Sequence, residues 1–207
     1  VLTSLSSLRA HHGHGAVDWP TVRRMAPGIL AGTLLGSLAA AWLSDAGLKI
    51  FFTLFLFYAA TQMLLGFKPK PSRPMPGLPG MSLAGGIIGL VSSWVGIGGG
   101  TLTVPFLIWC NIDLRRAIGT SAAVGFPIAV AGTLGYVISG HAVDGLPTGN
   151  LGFVYLPALV AIAAGSWLTA PLGARATHRW PTAIIKKIFA GLLYLLGVRM
   201  AYGLMPG

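Results

Sequence analysis

Acidic residues are scarce in this chain of 207 residues, which contains four aspartates and no glutamate. Hydrolases that use paired carboxylates for general acid and base catalysis are therefore excluded, and no serine–histidine–acid set can be assembled. The single cysteine, Cys110, excludes an internal disulfide. A Walker A motif is excluded because its lysine is missing. The sequence accordingly predicts no catalytic residues, no metal site and no cofactor.

Charged residues of either sign make up only 9% of the chain, and the mean hydropathy is +0.76. In soluble domains about a quarter of the residues are charged. The chain is therefore predicted to cross a lipid bilayer several times. Its 14 lysines and arginines give a net charge of +10. They lie between apolar runs, where basic residues determine topology and contact lipid headgroups, so nucleic-acid binding is not expected.

Apolar runs follow one another along the chain, and a helix needs about 20 apolar residues to cross a bilayer. The run at 1–8 is too short and resembles the end of a span already under way, so we expect a preceding portion. The run at 81–110 is too long for one crossing, and glycines interrupt it. The remaining runs approach the length of one crossing and lie at residues 25–43, 50–67, 117–140, 151–174 and 183–205.

Three consecutive glycines, at 98–100, lie at the centre of the long apolar run. They do not sustain a helix, because glycine loses the most backbone freedom on ordering. A helix broken in hydrocarbon is tolerated only where protein buries it or where it lines a wet cavity. Transporters build sites from such breaks, with half-helix N-termini directed at anions. We predict two limbs, 81–95 and 102–110, with Pro105 in the first turn of the second.

The connections between apolar runs differ in charge. Those at 9–24, 67–80, 111–116 and 175–187 are basic, whereas those at 44–49 and 141–150 are nearly neutral. The positive-inside rule assigns the basic connections to the cytoplasm. All four basic connections can be cytoplasmic only if the long run enters the membrane from the cytoplasm and returns to the same side. The charges therefore predict a re-entrant helical hairpin with the glycines at its tip.

A weak internal repeat links the two parts of the chain. Ala-Val-Asp occurs at 16–18 and 142–144, and Lys-Ile-Phe occurs at 49–51 and 187–189. Because the matched connections have opposite charge character, the repeats are predicted to have inverted topology. The predicted domains are the remainder of a first transmembrane repeat at 1–67, a proline-rich cytoplasmic linker at 68–80 and a second transmembrane repeat at 81–207.

The predicted substrate site combines backbone N–H groups with hydroxyls near the glycine turn and at the start of the next helix. An environment rich in donors and free of acidic groups suits an oxyanion. In the alternative, the glycines only allow close helix packing and the hydroxyls bond the preceding turn. The predicted substrate-binding residues are Ser92, Ser93, Gly98, Gly99, Gly100, Thr101, Thr103, Gly119, Thr120 and Ser121.

Two further motifs have simpler interpretations. Gly28, Gly32 and Gly36 form a GxxxGxxxG pattern, which predicts close helix packing. The triplet His11, His12 and His14 could bind a metal. It lies in a basic segment without carboxylate or cysteine, so a solvated loop is the favoured interpretation.

Residues 89–121 read GLVSSWVGIGGGTLTVPFLIWCNIDLRRAIGTS. This stretch resembles the signature of the sulfite exporter TauE/SafE family of anion permeases, and the resemblance extends loosely over the whole chain. It implies a carrier of two homologous halves in a bacterial-type inner membrane, moving sulfite, sulfonates or related sulfur-containing or organic anions. The family's first-half motif is absent from this chain. The matching residues are Gly98, Gly99, Gly100, Val104, Pro105, Ala117, Gly119, Thr120 and Ser121.

These observations predict an all-α polytopic membrane protein with two inverted-topology repeats and a glycine-broken re-entrant hairpin. It would carry a small anion by alternating access and would not be an enzyme. A non-transporting membrane scaffold or maturation factor is the alternative from another class. A membrane enzyme ranks third, because no catalytic set is present.

Overall fold

In the computed structural model the chain is almost wholly helical. The structure describes residues 1–66, 72–96, 98–141, 143, 145–179 and 181–204. The predicted linker and the long apolar run lie partly outside the described residues, at 68–71 and 97 respectively. Positions 142 and 144 of the predicted repeat also lie outside them. The helices are α1 (Leu2–Gly13), α2 (Trp19–Ala39), α3 (Asp45–Leu65), α4 (Leu78–Val95), α5 (Gly100–Trp109), α6 (Leu114–Gly140), α7 (Leu156–Arg179) and α8 (Thr182–Tyr202).

The predicted all-α membrane architecture is confirmed. Within the described part of the chain, α3, α4 and α6 are long and apolar enough to cross a membrane. Helix α5 has ten residues, which span about 15 Å at 1.5 Å per residue. This is roughly half of the ~30 Å hydrocarbon core. Helix α5 is therefore too short to cross the bilayer, and one of its ends lies near the middle of the hydrocarbon core.

One small strand pair interrupts the helical pattern. Strand β1 (Asn150–Leu151) pairs antiparallel with β2 (Val154–Tyr155), which leads directly into α7. Gly152 in the tight turn between them has φ +59°. The sequence analysis did not predict this pair, because two-residue strands carry no periodic pattern.

The chain divides into two compact units. The first contains Val1–Trp42 and Lys68–Ser139, and the second contains Leu43–Phe67 and Gly140–Gly207. Each unit thus takes helices from both predicted repeats. The predicted domain boundaries at 67 and 81 describe sequence repeats rather than compact units, and they stay a prediction.

In the first unit, α2 packs against α4 with their backbones in direct contact. Cβ atoms on Gly28 and Gly32 would overlap the carbonyl oxygens of Ser82 and Gly86, respectively. The GxxxGxxxG pattern was predicted to pack helices closely, and this prediction is confirmed.

Helices α2 and α4 run in the same direction. Near their first turns, the Ser82 hydroxyl donates to the Arg24 carbonyl at 2.9 Å. Near their last turns, the Trp94 indole Nε1 donates to the Gly36 carbonyl at 2.8 Å. Because both sequences ascend together between these contacts, α2 and α4 begin at the same end of the unit.

Helix α6 runs in the same direction as α2 and α4. The backbone N–H of Asp18, which caps α2, donates to the Thr120 hydroxyl at 3.0 Å. At the other end, the Ser139 hydroxyl lies 3.5 Å from the Ser37 carbonyl. Three helices, α2, α4 and α6, therefore run parallel, and α4 is also the first limb of the hairpin.

The core of the first unit joins the two hairpin limbs, α4 and α5, to α2 and α6. Met25 and Ile29 of α2, Met81 of α4, Leu107 of α5 and Val124 of α6 are each fully buried. In a bilayer such contacts stabilise the unit through van der Waals packing, because lipid tails are as apolar as these side chains. This cluster fixes α5 in place although α5 is short.

The second unit is organised around an antiparallel contact between α3 and α8. The hydroxyls of Thr61 and Tyr194 lie 2.6 Å apart. The ring of Tyr194 also packs against Phe57, with centroids 5.8 Å apart. One turn later in α8, a Cβ on Gly197 would lie 3.2 Å from the Phe57 ring. Later α8 residues meet earlier α3 residues, which defines the antiparallel direction.

Candidate functional site

Two left-handed glycines form the turn between α4 and α5. Gly96 caps the end of α4 with φ +69°, and Gly99 caps the start of α5 with φ +72°. Side chains with a Cβ rarely adopt this conformation. A Cβ on Gly99 would also lie 2.6 Å from Cδ1 of Ile128, whereas one on Gly96 would meet nothing within 4 Å. Gly99 is therefore required for the backbone conformation, and a Cβ there would also displace the end of the Ile128 side chain.

The predicted bounds of the second limb were wrong. Because Gly99 provides the left-handed cap, helix α5 begins at Gly100, two residues earlier than predicted. Pro105 is consequently the sixth helical residue and lies inside the helix rather than in its first turn. Its ring nitrogen cannot donate to the Thr101 carbonyl one turn earlier, so that carbonyl lacks its usual helical partner.

The hairpin returns to the end of the unit at which it began. The backbone N–H groups of Ser72 and Arg73, which precede α4, both donate to the carbonyl of Trp109 at 3.3 Å. The Arg73 guanidinium also lies 4.7 Å from the centroid of the Trp109 ring. Since Trp109 ends α5, these contacts close the base of the hairpin. This is the geometry of a re-entrant segment.

The tip of the hairpin lies opposite the middle of α6. A Cβ on Gly125 would be 3.1 Å from the Gly98 carbonyl oxygen, and Gly99 faces Ile128, as described above. Helix α6 has 27 residues and is about 40 Å long, so positions 125–128 are distant from both ends. The turn therefore lies beside a part of α6 that is distant from both ends of that helix.

The acceptor groups around the end of α4 are largely paired. The Tyr136 hydroxyl donates to the Ser93 carbonyl at 2.7 Å, and the Gly96 N–H donates to the Ser92 carbonyl at 2.9 Å. In hydrocarbon an unpaired backbone group costs several kcal/mol. Because these carbonyls are engaged, the α5 N-terminus remains the main polar group at the turn.

The start of α5 presents hydrogen-bond donors. The N–H groups of Leu102 and Thr103 donate to the Gly99 carbonyl at 3.2 and 2.8 Å. The preceding N–H groups, those of Gly100 and Thr101, have no acceptor within the helix because no earlier turn exists. The helix macrodipole adds a partial positive charge at this end. The α5 N-terminus is thus suited to an anion.

Two buried hydroxyls face this N-terminus without a hydrogen-bond partner among the described residues. They belong to Ser92, which is 4% exposed, and Thr103, which is fully buried. A Cβ on Gly99 would lie 3.7 Å from Ser92 Oγ and 3.5 Å from Thr103 Oγ1. Helical hydroxyls commonly bond the carbonyl one turn earlier, and these two do not. They are therefore unsatisfied polar groups buried beside the turn.

A cavity of about 400 Å³ reaches the turn. The turn contributes Gly96 and Gly98 to its wall, and the α6 side is small and apolar. Helix α1 contributes three hydroxyl-bearing residues on its opposite wall. Among the described residues no charged side chain lines the cavity, whose other lining residues are Val1, Thr3, Ser4, Ser7, Ala122, Gly125 and Ala129.

Several predicted site residues lie near the turn but are engaged elsewhere. Ser121 is 3.9 Å from the position of a Cβ on Gly100, yet its hydroxyl donates to the Ile118 carbonyl at 2.9 Å. Ser93 faces α2, and its hydroxyl donates to the Leu90 carbonyl at 2.7 Å. Each of these hydroxyls thus donates its hydrogen bond to a carbonyl of its own helix.

Two other predicted residues face the segment that precedes α2 rather than the turn. Gly119 packs against the backbone of Ala16, where a Cβ would overlap the Ala16 carbonyl. Thr120 is fully buried and accepts the Asp18 N–H at 3.0 Å. The structure therefore gathers Ser92, Gly98, Gly99, Gly100, Thr101 and Thr103 around the turn and separates Gly119 and Thr120 from them.

Sequence reasoning missed the contribution of α1. Thr3, Ser4 and Ser7 line the cavity, and their spacing of three to four residues on one helix face was the available signal. The histidine segment was also misassigned. His11 and His12 belong to α1 rather than to a loop, and the Trp19 indole Nε1 donates to His12 Nδ1 at 3.2 Å.

Comparisons with known proteins agree on a family. Residues 1–200 match the family model described as sulfite exporter TauE/SafE. A probable membrane transporter protein of Haemophilus influenzae is 37% identical over 202 residues, covering 97% of this chain and 76% of the relative. The probable membrane transporter protein YunE of Bacillus subtilis is 24% identical over 223 residues, covering 98% and 77%. No solved structure matches the chain.

Proposed function

Because the chain belongs to the sulfite exporter TauE/SafE family and is a membrane transporter, we propose that it carries small anions through the hairpin-tip site. The observation that carries this proposal is the pair of unpartnered hydroxyls, Ser92 and Thr103, beside the donor end of α5. Burying a hydroxyl without a partner costs about 1–3 kcal/mol. An oxyanion at the turn would offset this cost by accepting both hydrogen bonds.

The proposed site binds through dipoles rather than through full charges. In the part of the chain that the structure describes, the cavity wall contains no lysine, arginine or histidine, and the α5 N-terminus supplies N–H groups from Gly100 and Thr101. A buried ion pair removed from water can be difficult to separate. Distributed donors hold an anion less tightly, which suits a site that must release its substrate.

Sulfite and sulfonates are the proposed substrates. Each carries several oxygen acceptors around one centre, which matches the clustered donors of Gly100, Thr101, Ser92 and Thr103. The adjoining cavity of about 400 Å³, whose wall includes Gly96 and Gly98 but none of these four residues, is large enough for an anion of this size with water or a short organic tail. The family description names sulfite, and other small organic anions remain within the proposed class.

We propose alternating access between two inverted repeats in the inner membrane, with the hairpin base on the cytoplasmic side. The matched Lys-Ile-Phe segments lie in the second turns of α3 and α8, and these helices pack antiparallel. Phe57 meets Gly197 and Thr61 meets Tyr194. The segments at 49–51 and 187–189 are 138 positions apart in the sequence. When 138 is subtracted from the number of the α8 residue, the two residues of each contact average to about residue 58. A two-fold axis passing there would support inverted topology.

Reconstituted protein provides the test. Proteoliposomes containing the chain are expected to release sulfite and a short alkylsulfonate at least tenfold faster than protein-free vesicles, whereas choline release should not increase. The alternative, a non-transporting scaffold whose hairpin only packs against a partner, predicts release at the protein-free rate for every solute. Correct folding in the vesicles is checked independently by protection of buried Cys110 from a thiol reagent.

A further inference from the structure

The cavity at the hairpin tip and a second cavity both lie between α1 and α6, and the spacing of their lining residues points to a groove along these two helices. On α1 and at its C-cap, the lining positions are 4 and 7 at the tip cavity and 11 and 14 at the second cavity, of about 560 Å³. These positions are three or four residues apart and therefore share one helix face. On α6, positions 129, 125, 122 and 118 follow the same spacing in the opposite order.

The second cavity lies at the basic end of this groove. Its wall includes His11 from α1, His14 directly after α1 and Arg115 from the first turn of α6. Polar residues thus continue along α1 from its hydroxyls to its histidines. The remaining lining residues are Ala16, Leu114 and Ile118.

Arg115 lies in the wall of this cavity and forms no ion pair with any described residue. Asp113, the nearest carboxylate in sequence, accepts the Arg116 backbone N–H at 3.1 Å and lies 3.9 Å from Arg116 Nε. Arg115 instead directs Nη2 at the His14 carbonyl at 3.5 Å. The other nearby carboxylate, Asp18, accepts the Thr21 hydroxyl at 2.7 Å. The positive charge of Arg115 is therefore not neutralised locally.

We propose that the cavity lined by His11, His14 and Arg115 is an anion-recruiting vestibule from which the substrate passes along the α1–α6 groove to the hairpin tip. This inference rests on the proposed anion transport. A positive charge at the mouth of a low-dielectric cleft raises the local anion concentration and the rate of entry. The uncharged tip site cannot attract an anion over distance, and the vestibule supplies this step.

Charge-selective labelling tests the vestibule without requiring transport. In a Cys110→Ala background, an Ile118→Cys variant places a thiol in the vestibule wall. In detergent solution at low ionic strength, a sulfonate-bearing thiosulfonate reagent should modify it faster than a trimethylammonium counterpart. Arg115→Gln should reduce this rate ratio by roughly threefold to tenfold, as expected for loss of one charge at about 6–10 Å in a watery environment.

Arg116→Gln is the matched control, because it removes the same charge one residue away from a side chain already paired with Asp113. It should change the ratio less than twofold. At about 1 M salt, where the Debye length is about 3 Å, the effect of Arg115→Gln should disappear. An unchanged ratio in Arg115→Gln, or an equal loss in both variants, would overturn the proposal.

A lipid phosphate is the other anion that the vestibule could bind, and bilayer composition separates the two sources. The labelling ratio is measured in nanodiscs of phosphatidylcholine and of phosphatidylglycerol. If the vestibule receives soluble anions, the Arg115-dependent ratio persists in both. Its loss only in phosphatidylglycerol would assign the cavity to headgroups and overturn the proposed role.

Transport kinetics then connect the vestibule with the tip site. Arg115→Gln should raise KM for sulfite roughly threefold to tenfold at low salt and leave kcat within about twofold. Vestibule labelling that depends on Arg115, with no sulfite flux in the unsubstituted protein, would refute the proposed transport function while leaving the cavity an anion site. Normal flux with KM unaffected by Arg115→Gln would refute the vestibule alone.

Discussion

Replacing Gly99 with leucine is expected to abolish sulfite transport, with a loss of at least a hundredfold. The left-handed backbone at Gly99 has φ +72°, and a Cβ there would lie 2.6 Å from Ile128 Cδ1. A leucine would also occupy the space in front of Ser92 Oγ and Thr103 Oγ1. The α5 N-terminus would then lose both its position and its access to the anion. Flux is measured in proteoliposomes after matching the amount of inserted protein.

Two neighbouring glycines separate backbone strain from blockage of the site. Gly96→Ala introduces a Cβ at a similar φ of +69° in open space, so it reports the cost of strain alone, about 1–2 kcal/mol. Gly98→Ala adds a Cβ in open space without a left-handed φ and should retain most of the transport. If Gly99→Ala transports as well as Gly96→Ala, the contact with Ile128 has no functional importance.

Removing the two unpartnered hydroxyls together is expected to weaken sulfite binding strongly without weakening the fold. Each hydroxyl should contribute about 0.5–1.5 kcal/mol to binding. The double variant Ser92→Ala/Thr103→Val should therefore raise the apparent Kd roughly fivefold to 150-fold. Because neither hydroxyl has a partner in the described structure, the unfolding midpoint should stay constant or rise. Binding is measured by titration, and stability by thermal unfolding in detergent.

Ser121→Ala is the matched control for this variant. Its hydroxyl lies close to the turn but already donates to the Ile118 carbonyl at 2.9 Å, so the apparent Kd should change less than twofold. A loss of stability in the double variant, or equal effects in the control, would mean that these hydroxyls serve packing and not the substrate.

The hairpin could be predicted because its determinants are local in sequence. Three glycines cannot continue a helix, and the basic connections on either side of 81–110 require both ends on one side. The start of α5 was mispredicted by two residues, because a left-handed Gly99 allows Gly100 to be the first helical residue. That detail depends on backbone torsion angles, which the glycine run does not specify.

The composition of the site was less predictable, because it depends on tertiary contacts. Thr120 belongs to a Gly-Thr-Ser motif at a helix start, yet its hydroxyl bonds the Asp18 N–H, which is 102 residues away in sequence. Ser92 and Ser93 are adjacent, but only Ser92 faces the turn. Ser7 of α1 lines the cavity from the short run at 1–8, whose length concealed its importance.

The most direct test of the central claim is the response of sulfite efflux to membrane potential. An anion that crosses through an uncharged site carries its charge with it, and moving one charge through 100 mV releases about 2.3 kcal/mol. Proteoliposomes loaded with sulfite receive imposed potassium-diffusion potentials at equal pH on both sides. Efflux should accelerate as the interior becomes more negative and should carry a measurable current. Efflux that ignores the potential and follows an imposed pH gradient would contradict this account and indicate a proton-coupled carrier.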